Sequence, residues 1–510
     1  MRRSLQTLAA LLLLLGLLCG CAPPAETGAQ PEPAAPAELP EQPAAAADTA
    51  AAGFGLAYEA DAGFNPYRCM SLCNRTVLSL LYEPLFTVDA SFDAAPYLVQ
   101  NYTASGDGRT HTMTLREDAR FSDGSPVTAA DAAASIQAAM DSAYYGQRLR
   151  HISTVSAADT YTLIITTDAA CGSLDALLNV YVVKAGTTGD DAPVGSGPYR
   201  LENGVLELWD WWRAITPPLH EPVVSLVAVS SPTNVRDAFE YGQITLAAAD
   251  PNVGARIAYH ADFELWNTST TVMQYVGFNL NSTVFSQTQV RAAVTYAADR
   301  DGIAAATAGG FAAAAVLPAS PYAAVYDQRL ADSYAHNPAA LSEALAAAGF
   351  TPAAEPEADG ASEADGVMLV CSASEQRVAA AQAIVDSLAA AGLRLTLTAL
   401  PYDDYLRALD RGEFDAYYGE VRLSPDFDLS VFFDAAGSLS YGSIADSSVA
   451  RLCDLAMENA GNVYDLHAEI MNRGLLCPVL FKTYAVYTAR GRITDLTPCL
   501  DGVFLTPMAG

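Results

Sequence analysis

The chain has 510 residues with 58 acidic against 27 basic side chains, a net charge of −31 at neutral pH. That charge excludes partners held by attraction to polyanions, nucleic acid and anionic lipid surfaces above all, because the same field would repel them. The basic residues are arginine everywhere except Lys184 and Lys482, which beside so much alanine reads as genome base composition.

In chain order, an export signal comes first. Met1-Arg2-Arg3 precedes the apolar run Leu8 to Leu18, and Leu18-Cys19-Gly20-Cys21 places small residues just before a cysteine. The run is too short for a spanning helix, and the pattern predicts a lipoprotein signal peptide over 1–20 with Cys21 as the acylated first residue. A plain secretory signal cleaved nearby is the bland alternative, and both readings export the chain. Loss of Arg2 and Arg3 leaves a still more acidic body, so a hold on the bilayer must come from acyl chains. Residues 21–52 are rich in alanine, proline and glutamate, without base or aromatic. Such a segment cannot bury a core, and it predicts a disordered tether.

The remaining chain, about 460 residues, is long for a single core, and strand-like runs alternate with helix-like runs. This predicts an α/β body of two or more lobes. Strands are expected at Tyr161 to Thr167, Gln274 to Leu280, Val367 to Ser372 and Leu393 to Leu400. One helix is expected after Asn337 as cap, with Pro338 in its first turn and Gly349 as stop, and another ends at Gly392. From Val367 the order strand, helix, strand predicts a βαβ unit, and 353–366 reads as a solvated loop. Seven cysteines remain beyond Cys21, an odd number that cannot form a closed disulfide framework; they read as buried apolar groups with room for one bridge. Cys69 and Cys73, four apart, suit one helix face, but no nearby histidine completes a zinc set.

The stretch Leu115 to Ser135 gathers Glu117, Asp118, Asp123 and Asp131 around a turn. Each acid has a backbone task. Asp123 suits the Ser-Asp-Gly-Ser turn, Asp131 completes a capping box with Thr128, and Glu117 and Asp118 sit at a strand end near Arg116 and Arg120.

These residues also carry a resemblance. Leu115-Arg116, Phe121-Ser122-Asp123-Gly124, Pro126, Thr128-Ala129 and Asp131 resemble the hallmark of the family 5 solute-binding proteins of ABC importers, the oligopeptide, dipeptide and nickel binders. Leu81 to Asp89, Val194 to Leu201, Val290 to Ile303 and Phe414 to Phe433 resemble further family segments in the same order, so the likeness runs from about Ala52 onward. It implies a two-lobed periplasmic-binding-protein-like clamp of type II, cluster C style, with an extra small domain beside the first lobe. The expected division is 53–275 with 485–510 as lobe 1, including the small domain at about 76–185, and 276–484 as lobe 2. Gln274 to Leu280 and Cys477 to Thr488 are the expected crossovers.

The function implied is a non-enzymatic receptor, a monomer at the outer face of the bacterial cytoplasmic membrane. It would capture a peptide or similar small polar solute, deliver it to an ABC permease, and need no cofactor. Read as a strand, the segment from Phe414 puts Tyr418, Glu420 and Arg422 on one face, where a carboxylate and a guanidinium could hold an amine and a carboxylate. Asp426, Tyr82, Tyr484 and Tyr441 are further candidates through their matched segments. Glu420 stands where the family's peptide binders have tryptophan, and their following aspartate has no clear counterpart. A nickel or metallophore binder of the same family is therefore one alternative. A secreted hydrolase using Asp426 and Asp428 is another, weakened by the lack of a G-x-S-x-G, H-E-x-x-H or phosphate-loop motif and by six scattered histidines.

Overall fold

Two patterns of apolar residues sort the strands into two kinds of sheet. Alternating strands such as Thr110–Leu115, with His111, Met113 and Leu115 buried, form a four-stranded antiparallel sheet. Its order is Val99–Ala104, Thr110–Leu115, Thr162–Thr167, Ile152–Ala157. Helix Ala129–Met140 packs on the last two strands. That helix begins with the expected capping box: the Thr128 N–H donates to Asp131 at 2.9 Å and the Asp131 N–H to Thr128. Asp123 accepts from Ser125 N–H at 3.0 Å and pairs with Lys184, so Asp123 and Asp131 both serve the scaffold.

The structure is a computed structural model, and it describes residues 53–210, 219–251, 258–352, 364–493 and 496–505. The signal sequence, Cys21, the tether and most of the 353–366 loop lie outside these residues. In the larger, eleven-stranded sheet, Phe54–Tyr58 runs parallel to Val223–Ala228 and Leu246–Ala249 on one side. On the other side Gly366–Cys371 runs parallel to Leu395–Leu400 and Ala416–Arg422. The expected βαβ unit is here: helix Glu375–Ala390, capped by Ser374, connects Gly366–Cys371 to Leu395–Leu400.

Two long antiparallel strands, Phe263–Phe278 of 16 residues and Leu476–Ala489 of 14, join these parallel sets. The strand expected from Gln274 is thus the buried end of a longer one, whose first half, "FELWNTST", is too polar to announce itself. Their register shifts between Ser269 and Met273. There the Thr270 hydroxyl donates to the Lys482 carbonyl and the Thr271 hydroxyl to that of Leu423, both at 2.7 Å, standing in for ladder bonds. Farther along, Tyr275 lies opposite Gly419 and Gly277 opposite Tyr417. A Cβ on Gly419 would lie 2.7 Å from the Tyr275 ring, and one on Gly277 closer still to Tyr417, so each glycine makes room for a ring.

Apolar clusters fill both sides of the sheet. One of them contains Phe92, Phe427, Phe432 and Phe481 together with Tyr275 and Tyr417 of the sheet. Phe92, at the hairpin between Phe86–Val88 and Ala94–Pro96, meets Phe427 edge-to-face at 4.9 Å. Both hold left-handed backbone, at φ 67° and 57°, which bulky residues seldom adopt. All seven described cysteines are buried and free, so none of them uses the room for a bridge. Cys69 precedes the helix Leu72–Leu81 that contains Cys73, because Ser71 caps that helix and fixes its start.

Candidate ligand pocket

Where the two long strands shift register, their polar residues open a cavity of about 90 Å³. Thr268 to Thr270, Tyr484 and Arg422 supply the sheet side; helix Leu72–Leu81 supplies Arg75, and the segment Cys499 to Val503 closes the other wall. That segment is a tight turn in which Cys499 and Gly502 exchange backbone bonds of 3.1 Å. It holds Asp501 in left-handed backbone at φ 63°, a conformation aspartate tolerates better than most residues. The turn is tied down by Asn179, which donates to the Leu500 carbonyl at 2.9 Å, and by the Tyr181 hydroxyl, which donates to that of Asp501 at 3.0 Å.

Three guanidinium groups surround this turn. Arg148 donates to Asp501 Oδ2 at 3.0 Å, and Arg422 Nη1 lies 3.9 Å from Oδ1, which also accepts from the Tyr144 hydroxyl. Arg75 stacks on the Tyr144 ring with Cζ 3.5 Å from the centroid; Arg422 and Arg148 flank the same ring at 5.4 and 5.9 Å. Burial alone would raise the Asp501 carboxyl, but Arg148, Arg75 and Arg422 outweigh it and hold the group well below the ordinary carboxylate range. Asp501 is therefore an anion at any physiological pH.

Glu420 and Arg422 lie along one strand, and beyond Arg422 a second ion cluster follows. Lys482, 3 % exposed, pairs with Asp250 at 2.5 Å and with Glu420 at 3.5 Å. Burial pushes its pKa down, Glu420 and Asp250 push it up, and the upward effect wins. Gln274 donates to Glu420 and accepts from the Tyr418 hydroxyl, each at 2.9 Å.

The candidates from sequence thus fall into three places. Arg422 and Tyr484 line the cavity and touch each other, Arg422 donating to the Tyr484 hydroxyl at 2.9 Å. Tyr418 and Glu420 belong to the neighbouring lysine network. Tyr82 and Asp426 lie elsewhere. Tyr82 is wholly buried, its hydroxyl donating to the carbonyls of Phe64 at 3.0 Å and Pro193 at 3.2 Å. Asp426 accepts from Ser424 and Ser173, while Asp428 pairs with Arg150 at 2.6 Å. Tyr441 packs on Tyr417.

Reading the sequence missed Arg75, Tyr144, Arg148, Lys482 and Asp501. Two of them carried a signal. Arg75 interrupts the apolar helix "LCNRTVLSLL", and Lys482, one of two lysines in an arginine-rich chain, interrupts the apolar strand "CPVLFKTYAVYT". A charge placed in a buried run needs a partner or a task.

Comparisons with known proteins agree with this architecture. The family model described as bacterial extracellular solute-binding proteins, family 5, matches residues 93–439. The glutathione-binding protein GsiB of Shigella boydii serotype 4 is 26 % identical over 313 residues, 56 % of this chain and 59 % of that protein. The chain thus spans about three-fifths of the length of the curated relatives it matches. NikA from Brucella suis, solved in complex with Fe(III)-EDTA, superposes with a TM-score of 0.70 at 19 % identity, covering 89 % of this chain and 100 % of that one. The oligopeptide-binding protein AppA from Bacillus subtilis, solved in complex with a nonapeptide, gives 0.59 at 17 % identity, covering 86 % and 95 %.

Proposed function

The chain belongs to the bacterial extracellular solute-binding proteins of family 5, and from that premise we propose that it is the extracytoplasmic receptor of an ABC importer, capturing a small polar solute of peptide type without converting it. The cavity at the register shift carries this reading. It is lined by both long strands, the elements on which 53–275 with 485–510 would swing against 276–484. Hinge closure is a two-state motion, and a solute shifts it by binding the closed state better. A cavity of about 90 Å³ takes on the order of six to nine water-sized groups at ~10–15 Å³ each, room for one end of a solute. Anything longer requires the halves to part.

Among the described residues no group of three or more His, Cys, Asp or Glu side chains is arranged to hold a metal ion. Acylation of Cys21 would hold the receptor at the outer face of the membrane, and mass spectrometry of the membrane fraction checks it. Native mass spectrometry of freshly purified protein, followed by calorimetry with whatever is released, tests the function. A stoichiometric small solute returned unchanged is the expected result. Turnover of that solute would replace a receptor with an enzyme, and a released metal complex would move the assignment to metallophore capture.

A further inference from the structure

Charge around the cavity does not balance. Among the described residues, Arg75, Arg148 and Arg422 face a single carboxylate, Asp501. Adding the next cluster, where Lys482 is shared by Asp250 and Glu420, still leaves one positive charge in excess. The excess is localised. Arg148 is spent on Asp501 and on the Asn179 carbonyl at 3.5 Å. Among the described residues Arg422 meets the Tyr484 hydroxyl at 2.9 Å and Asp501 at 3.9 Å, and a third of its side chain is open.

Arg75 is buried and, among the described residues, has no carboxylate within ion-pair distance. Its Nη atoms donate to the carbonyls of Pro66 and Cys69 and to the Tyr145 hydroxyl, while its buried Nε has no hydrogen-bond partner. A guanidinium out of water without an anion is costly, and the Tyr144 ring offsets only part of that cost. Asp501 cannot move across to supply the missing charge, since its turn is fixed through Asn179 and Tyr181 and both its oxygens are engaged. For the same reason it offers nothing to an incoming ammonium, which three guanidinium groups would also repel.

Resting on the receptor reading above, we propose that the cavity selects solutes of net negative charge, seating a carboxylate at Arg75 and Arg422, and that Asp501 is the resident counter-ion that limits how much negative charge is admitted. A carboxylate can accept from both guanidinium groups at once, and charge-assisted bonds of this kind are the strong ones in a dry site. Neutral and cationic solutes would leave Arg75 uncompensated.

A size-matched series tests the proposal on the intact protein: calorimetric titration with succinate, succinamate and succinamide, which differ in charge and little in shape. Affinity should fall along that order by at least tenfold from first to last, and the succinate affinity should drop with added salt. Arg422→Gln should weaken succinate at least tenfold and succinamide far less, so that the gap between the two probes narrows. Asp501→Asn should tighten succinate, and if that variant does not fold, the Arg422→Gln result decides. Equal binding of all three probes, binding of none, or a neutral or cationic solute found in the purified protein would overturn the charge rule. The last of these would leave the receptor intact, whereas turnover of a solute would remove the receptor itself.

Discussion

Asp501 and Asp426 are acids set into junctions of the same molecule, and their surroundings push them in opposite directions. Asp501 sits among three arginines and is held far below the ordinary carboxylate range. Asp426 is shifted upward by burial and by its neighbour Asp428, and Ser424, Ser173 and the Asp428 N–H offset only part of that. Their hydrogen-bond counts are similar. What differs is the charge of the nearest groups, since Arg150 is committed to Asp428 and, among the described residues, no cation pairs with Asp426. A carboxylate in a fold of this kind reports its neighbours, and only the first arrangement is built to hold an anion.

The comparison can be broken most forcefully at Arg148. Arg148→Gln strands Asp501 without its closest cation and should cost about 3–5 kcal/mol in urea unfolding. Arg150→Gln, beside the other aspartate, should cost less than half of that, and equal losses would mean that the two sites are not different in kind.

A third buried titratable group extends the contrast to one with no partner at all. His467 is 1 % exposed, neither ring nitrogen is hydrogen-bonded among the described residues, and burial pulls its pKa down to about 4. The unfolded chain then binds the extra proton between the ordinary value near 6.5 and about 4. Stability is therefore whole above that window and falls through it as pH drops, by roughly 3 kcal/mol at most. His467→Leu should flatten stability against pH across the same interval, and a profile that stays sloped would assign it to other groups.

Asp426→Asn should raise stability at neutral pH by up to about 1 kcal/mol, because the amide oxygen still accepts from Ser424 and the Asp428 N–H while the repelled charge is gone. Since the folded pKa is raised, protonation relieves the wild type as pH falls, and the advantage of the variant should vanish there. Asp131→Ala sharpens the picture from the other side. That acid answers backbone N–H groups rather than a guanidinium, so its loss should cost only about 1 kcal/mol in thermal or urea unfolding.

How much of this was legible in the sequence depended on whether the signal was local. The Thr128 and Asp131 cap, the strand expected from Val367 and the helix closed at Gly392 rest on neighbours a few residues apart, and they stand within a residue of where the pattern put them. Tyr418, Glu420 and Arg422 follow one another at every second position of a strand, but alternation could not say which would meet Lys482 and which Asp501. Tyr82 matched a segment and lies in the core, because a matched segment fixes an element without fixing where each side chain ends. The arginine cluster was illegible for a simpler reason. Arg75, Arg148 and Asp501 belong to three distant stretches, and only the completed topology brings them into one place.

That distance also sets an order of events. The segment carrying Asp501 closes on a helix more than four hundred positions earlier, where the Phe504 N–H donates to the Ser79 hydroxyl. Encounters across so much chain are slow to form. Until they do, three guanidinium groups remain in water with no seat for an anion, so the newly exported polypeptide should acquire its selectivity for cargo last, after its sheets have already assembled.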